Sequence, residues 1–296
     1  MNPIVVKLGG RGVDAAIARE PILDALVALW AREQVVLVHG GGDAVDARLS
    51  RMGHETRRVR GLRVTDRAAI AEVVGAVAGV VSQGLVGALA SRDVACAGLT
   101  LTGAGLRCRV HGPVDGVDLG RVGLVVSGED RERADGAGEA GRGEAGRGEA
   151  GEGSDTKALE ALLGAGVMPV VSCVGADDDG EPLNVNADDA AAGVAAALGA
   201  RQLVLLTDTP GVLDGRGAPI DRLDGPRADA LLASGVIEGG MAPKVRAALA
   251  MAAALHSPVR IASWRDTDAP WWADPSAGGG TVLVHGRRQG GEDDGE

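Results

Sequence analysis

LNVNADDAAAGVAAALGA (Leu183–Ala200) begins as a β-strand and ends as a helix. Asn184 and Asn186 alternate with Leu183, Val185 and Ala187, so the period of two puts both amides on one face of an extended segment. Asp188 and Asp189 follow, and an alanine-rich run of high helix propensity begins there. Asparagine is a poor strand former, so two amides on one strand face, leading into a carboxylate at a helix start, raise the question of what they hold.

The same strand-to-helix change recurs along the chain. IVVKL (4–8), VVLVH (35–39), VMPVVSCV (167–174), QLVLLTD (202–208) and VRIAS (259–263) read as buried strands. They are continuously apolar rather than alternating, the mark of a sheet covered on both faces. Helical patterns fall between them at 14–32, 43–52, 67–91, 155–165, 188–199, 227–235 and 241–255. Such alternation predicts an α/β sandwich with a mainly parallel sheet.

The 296 residues include no Phe and no Tyr, and only four Trp (Trp30, Trp264, Trp271, Trp272), so Ala, Val, Leu and Ile must build the core. The formal charge is −11, but residues 129–155 carry −5 of it and residues 291–296 another −4, leaving the remainder close to neutral. That distribution places the acidity on appendages and argues against nucleic acid as a partner. Cys96, Cys108 and Cys173 are scattered and form no C-x-x-C spacing, which fits small apolar fillers in a reducing compartment. MNPIVVKLGG lacks a signal peptide's apolar stretch, and no run reads as membrane-spanning, so the expected location is cytoplasmic. GEAGRGEAGRGEAGEG (138–153) repeats every five residues without an apolar face, and is expected to be a flexible surface insertion within 129–155. The acidic end, 286–296, is expected to be a disordered tail.

Several strand ends carry groups suited to anions. VVKLGG places Lys7 directly before Gly9 and Gly10, where free backbone N–H groups and an ammonium could hold phosphate; a tight turn with an exposed lysine reads equally well. LVHGGG ends a strand at His39 and opens a helix with Gly40, Gly41 and Gly42, whose amides can approach a ligand closely. Neither a G-x-G-x-x-G fingerprint nor a G-K-[ST] ending is present there. GLRVTD (61–66) supplies Arg63, a residue type that clamps carboxylates through two parallel hydrogen bonds. LLTDTPGVLD (205–214) sets Thr207 and Asp208 at a strand end, and GGMAPKV (239–245) sets Lys244 where it opposes the helix dipole unless an anion lies nearby. Two lysines, glycine amides, an arginine and an aspartate at strand ends are the equipment of phosphoryl transfer by positioning and charge neutralisation.

These motifs, with PVVSCVG, IEGGMAPKV and RIASWR, stand in the order found in acetylglutamate kinases of the amino-acid kinase family. The chain resembles that family from Pro3 to about Val284, and most resembles its short bacterial form. The resemblance implies a three-layer αβα sandwich with an open eight-stranded sheet. It divides the chain into an acyl-amino-acid-binding and dimerising lobe (1–170) and an ATP-binding lobe (171–285). The implied reaction moves the γ-phosphoryl group of MgATP to the γ-carboxylate of N-acetyl-L-glutamate, with Mg2+ carried by ATP rather than by a protein site.

By position, Lys7 and Lys244 would neutralise the transferring group and Asp188 would hold both through ion pairs. Gly41, Gly42, Arg63, Asn184 and Asn186 would bind the acyl amino acid, and Gly9 and Gly10 the phosphate. Asp208, Thr209, Gly211 and Leu213, with Val236, Ile237 and Glu238, would line the ATP site. Two departures stand out: Ser82-Gln83 replaces the Asn-Lys of many members, and the 129–155 segment replaces a short connection. In relatives, a helix ahead of the first strand builds an arginine-inhibited hexamer, so the resemblance implies a homodimer without arginine feedback here. Two other activities fit the same scaffold: a kinase for carrier-protein-linked glutamate or aminoadipate, and a sensor without catalysis. The form of GLRVTD and the retention of both lysines favour the kinase of the free acetylated amino acid.

Overall fold

Each central strand sends alternate side chains to opposite faces, and both faces are buried. Val5 joins one core with Val36, Val38, Val171, Leu203 and Leu205. Ile4, Val6 and Leu8 join another with Leu37, Val170 and Val204. Two cores on one sheet are what continuous apolar strands demand.

The computed structural model describes residues 2–126 and 154–285. The strands are β1 (Ile4–Leu8), β2 (Val35–His39), β3 (Arg58–Val59), β4 (Leu62–Arg63), β5 (Cys96–Leu99), β6 (Cys108–Val110) and β7 (Val122–Val125). They continue as β8 (Met168–Ser172), β9 (Val174–Ala176), β10 (Pro182–Val185), β11 (Gln202–Thr207), β12 (Arg222–Leu223), β13 (Val259–Ser263) and β14 (Thr281–Leu283). The main sheet has eight strands in the order β12-β14-β13-β11-β1-β2-β8-β5. Its pairings are parallel except β13–β14. Strand order reverses at β1, with β2 on one side and β11 on the other, so the crevice for a ligand lies at the C-terminal ends of these strands. A smaller sheet, β6-β7-β10-β9, and the β3–β4 hairpin complete the strands among the described residues.

Three expectations need correction. The helix expected at 14–32 is two, Arg11–Ile17 and Pro21–Trp30. Arg19 takes a positive φ of 62° between them, and Pro21 opens the second, where its missing N–H costs nothing. The run 167–174 is also divided: the Cys173 amide donates to the His39 carbonyl at 3.2 Å, and β9 turns away into the smaller sheet. Third, one helix, Ile70–Ala90, is long and apolar enough to cross a membrane by length and composition. Here it wraps the protein instead: Ile70, Val73 and Val77 enter one core, and Val81, Leu85 and Leu89 the other. The change of face falls in a π-helical stretch, Gly75–Val81, whose wider turn rotates the buried stripe.

The 138–153 repeat and the 286–296 tail lie outside the described residues. Of the 129–155 segment only Ser154 and Asp155 are described, and Asp155 is anchored, its amide donating to the Gly105 carbonyl at 3.0 Å. Ser82 is buried against Gly98, where a Cβ would lie 2.9 Å from its hydroxyl; its neighbour Gln83 faces outward.

Candidate active site

The opening segment behaves as its pattern predicts. β10 runs to Val185, and Asn186 caps the Ala187–Ala197 helix, its Oδ1 accepting from the amides of Asp188 (2.8 Å) and Asp189 (3.4 Å). Such a cap satisfies N–H groups that the helix itself cannot. The cap aims Asp188 at β1, where its Oδ1 lies 2.8 Å from Lys7 Nζ. Lys7 is nearly buried, and its ammonium bends back over the following loop. A Cβ on Gly9 would sit 2.8 Å from that Nζ, so a larger residue there would push the flexible lysine head aside. Gly10 adopts φ 53°, a conformation glycine takes at little cost, and leads into the Arg11–Ile17 helix.

Two neighbouring cavities open here, and the ion pair lines one of them. Lys7, Gly9, Gly10, Asp188, Asp208 and Lys244 line the first. Gly41, Gly42, Arg63, Asn184, Asn186 and Cys173 line the second. Consecutive residues separate them: Ala187 faces the second cavity and Asp188 the first. Residues from distant segments thus line two adjoining cavities near the start of the Ala187–Ala197 helix, where the dipole favours negative charge. The expected ion pair from Asp188 forms with Lys7 alone. Lys244 is exposed in the first turn of the Met241–Leu255 helix and has no ion pair among the described residues.

The second cavity is held by internal bonds. Arg63 is 7% exposed. Its Nη1 bonds Asp46 and Thr56 Oγ1 (3.1 Å), and its Nη2 donates to the Gly42 carbonyl (3.0 Å). Three of its five donors are therefore committed, which fixes the plane of the fork and leaves two for a ligand. Partial burial pushes the Asp46 carboxyl up, but hydrogen bonds involving Arg63 and Thr56 and the charges of Arg63 and Arg58 outweigh it, bringing it down to about 2. Asn184 Nδ2 donates to Thr65 Oγ1 (3.0 Å), which donates in turn to the Arg63 carbonyl (2.9 Å). Gly41 packs beneath the π-helical turn: a Cβ there would approach Val77 Cγ2 to 3.2 Å. His39 is fully buried, its Nδ1 2.9 Å from the Gly40 carbonyl, and burial lowers its pKa to about 4. It is a neutral ring that fixes the start of the glycine loop. Burial likewise pushes the Cys173 thiol up to about 11, so the thiolate is scarce at neutral pH.

On the nucleotide side, Asp208 faces neighbours that sequence reasoning did not pair with it. Trp264 Nε1 donates to its Oδ1 (2.9 Å), and Arg11 (3.1 Å) and Arg265 (3.3 Å) form ion pairs with it. The Thr209 amide donates to Thr207 Oγ1 at 3.1 Å, closing the turn after β11. Gly211 has φ 148°, and a Cβ there would come within 2.7 Å of Thr281 Oγ1. Leu213 is partly exposed, whereas Ile237 is buried in the core between Val236 and the exposed Glu238. None of Thr209, Gly211, Leu213, Val236, Ile237 and Glu238 lines the crevice around Lys7. Asp46, Thr56, Thr65, Arg11 and Trp264 are the partners missed from sequence, since nothing in their spacing announces a contact made across the fold.

An open, mainly parallel sheet with adjoining cavities at its strand ends, one of them lined by a lysine–aspartate pair, fits a phosphotransferase of the αβα-sandwich class. The chain belongs to the amino acid kinase family, whose profile matches residues 2–263. It is 36% identical over 272 residues to an acetylglutamate kinase from Colwellia psychrerythraea, covering 90% of this chain and 91% of that protein. An acetylglutamate kinase from Shewanella amazonensis is 39% identical over 265 residues, covering 89% and 90%. Among solved structures, N-acetylglutamate synthase from Neisseria gonorrhoeae, complexed with coenzyme A and N-acetyl-glutamate, superposes with a TM-score of 0.75 at 22% identity. That match covers 98% of this chain but only 62% of the synthase, and it bears on fold alone. Carbamate kinase from Giardia lamblia, bound to AMP-PNP, gives 0.56 at 19% identity, covering 96% and 98%.

Proposed function

We propose that this chain is an acetylglutamate kinase, transferring the γ-phosphoryl group of MgATP to the γ-carboxylate of N-acetyl-L-glutamate. The products are N-acetyl-L-glutamyl 5-phosphate and ADP, a step of arginine biosynthesis. The observation that carries this reading is the pair of cavities adjoining at Ala187 and Asp188, with the Lys7–Asp188 ion pair lining one of them. An acceptor in one and a nucleotide in the other would bring their reacting oxygens to a shared boundary lined by an ammonium and glycine amides. Such transfer needs little covalent work from the protein, only positioning and neutralisation of spreading charge.

In this scheme Arg63 binds the acceptor's α-carboxylate with its remaining donors, and Asn184 and Asn186 contact the acetylamino group. Gly41 and Gly42 present amides to the γ-carboxylate and the departing phosphoryl oxygens, while Gly9 and Gly10 cradle the phosphate. Lys7 and Lys244 neutralise the phosphoryl group from opposite sides, and Asp188 holds Lys7 in place. Mg2+ arrives with ATP as part of the substrate. Thr209, Gly211, Leu213, Val236, Ile237 and Glu238 form the wall for the rest of the nucleotide, with Asp208 at its edge. We further assign 1–170 to acceptor binding and dimerisation and 171–285 to the nucleotide, with Asn184–Ala187 reaching back over the acceptor cavity, in a homodimeric cytoplasmic enzyme.

Trapping the acyl phosphate as a hydroxamate tests the reaction directly. MgATP with N-acetyl-L-glutamate should give hydroxamate, and glutamate or aminoadipate carried on an acyl-carrier protein should not. Tight ATP binding with no hydroxamate from any acceptor would leave a sensor and discard the kinase.

A further inference from the structure

Asp208 stands at the edge of the nucleotide crevice, and a bare carboxylate there would repel a polyphosphate. The fold surrounds it with cations instead. Arg11 Nη2 lies 3.1 Å from Oδ2; Arg265 Nη1 lies 3.3 Å from Oδ1 and donates to the Asp208 carbonyl at 3.3 Å. The Trp264 indole N–H donates to Oδ1 at 2.9 Å. Trp264 is also the platform that holds these groups together. The Arg265 guanidinium stacks 4.2 Å above its ring, and the ring packs on Gly12, where a Cβ would lie 3.0 Å from Cγ. Arg11, immediately before Gly12 and immediately after the Gly9–Gly10 loop, is thereby brought to the same carboxylate. Partial burial pushes the Asp208 carboxyl up, but the indole and Arg11 bonds and both guanidinium charges reverse that, and the net shift is downward.

One carboxylate against two guanidinium groups leaves a net charge of +1 on the rim. Both arginines are exposed, they reach the crevice through Asp208, which lines it, and neither spends more than two of its five donors there. Guanidinium groups with free donors at a crevice edge are suited to phosphate oxygens. We infer that Arg11 and Arg265, held by Asp208 and Trp264, form an outer cation pair that binds the polyphosphate of the nucleoside triphosphate, and that Asp208 is their positioning residue. The inference rests on the proposed function for the identity of the ligand as a nucleotide. It adds to Lys7 and Lys244 a second tier of charge whose work is binding affinity rather than turnover.

The test uses the full chain and calorimetric titration with MgATP, MgADP and AMP at fixed ionic strength, with a thermal melt of each variant and steady-state hydroxamate formation. Arg11→Ala should weaken MgATP about fivefold, the size of an exposed charge-assisted contact, and change AMP less than twofold. Arg11→Ala with Arg265→Ala should weaken MgATP about 30-fold, because Asp208 is then uncompensated. Adding Asp208→Asn to that double variant should restore about threefold by removing the repulsion. Arg11→Lys should recover part of the affinity, and kcat should change far less than the KM for ATP. Equal weakening of AMP and MgATP overturns the inference, as does further loss when Asp208→Asn is added, which would make Asp208 a direct nucleotide contact. The two readings fail separately. Hydroxamate formation with unaltered ATP affinity in the arginine variants discards the rim and keeps the kinase. Arginine-dependent MgATP binding without hydroxamate keeps the rim and discards the kinase. Absence of nucleotide binding discards both.

Discussion

The acceptor cavity and the nucleotide crevice solve the same problem, holding an anion, in opposite ways. Arg63 is buried and tied to Asp46, Thr56 and the Gly42 carbonyl, so the acceptor side is fixed before any ligand arrives. Lys244 is exposed without an ion pair among the described residues, and Arg11 is 64% exposed. The crevice thus offers charge that water still solvates, and ordering it is left to the ligand. A fixed site gives selectivity for shape, whereas a mobile set of cations suits a phosphate chain that must leave once per turnover. Lys7 lines the crevice yet is paired as Arg63 is and nearly as well covered.

The largest effect should come at that lysine. Lys7→Ala is expected to lower kcat about a thousandfold with little change in either KM, the loss of a group acting mainly on developing charge. A comparable fall in Lys244→Ala would show that the exposed lysine is recruited in the transition state despite its freedom here. Normal turnover in both variants would remove the mechanism.

Next in size is Asp46→Asn, which strips the buried Arg63 of its charged partner. Unfolding in urea should show a loss of about 2 kcal/mol, discounted from that of a fully buried pair because Asp46 is 38% exposed. The KM for N-acetylglutamate should rise as well, and the ATP KM should not. Because the folded Asp46 carboxyl titrates near 2 against an ordinary 3.8, its contribution is complete above about pH 4 and is lost as pH falls through 2. A rise in the KM for ATP alone would erase the distinction between the two sides.

His39 sharpens the comparison from within the fixed side. Its folded pKa near 4 lies below the ordinary 6.5, so between those values the unfolded chain binds a proton that the native state refuses. Stability should therefore fall as pH drops from 6.5 towards 4. Lowering the pH from 7 to 5 should cost about 2 kcal/mol through this group. His39→Gln should flatten that limb and leave the Asp46 limb, which sits at lower pH, in place. Identical urea curves for wild type and variant at pH 5 and 7 would deny the ring its buried, neutral role.

The smallest effect expected is that of salt. Raising ionic strength from about 0.05 to 0.5 M should increase the ATP KM a few-fold more than the acceptor KM, since exposed charges are screened and buried ones are not. Equal responses would place both sites in the same dielectric.

Much of this was readable in the residues. The continuous apolar runs fixed five strands of the main sheet, and alternation in LNVN followed by Asp188-Asp189 marked the strand-to-helix boundary that became the divide between cavities. Gly9 was visible as part of a turn, but its close approach to the Lys7 ammonium was not. Asp208 was legible as a strand-end carboxylate, while Arg11 and Arg265 were not, because residues 197 and 57 positions away in sequence leave no periodic trace of one another. Short strands such as β3, β12 and β14 escaped because two or three residues carry too little pattern.

By itself the sequence determined what local physics controls: which segments extend or coil, where glycine admits an unusual backbone, and which faces must be buried. It also carried the motif order that placed the chain in its family. Tertiary structure alone decided the pairings, namely which lysine Asp188 holds, which arginines gather at Asp208, and where the long apolar helix passes from one core to the other. Those depend on strand order and register, which bring groups from distant segments within 3 Å or so of each other, and no single segment encodes that distance.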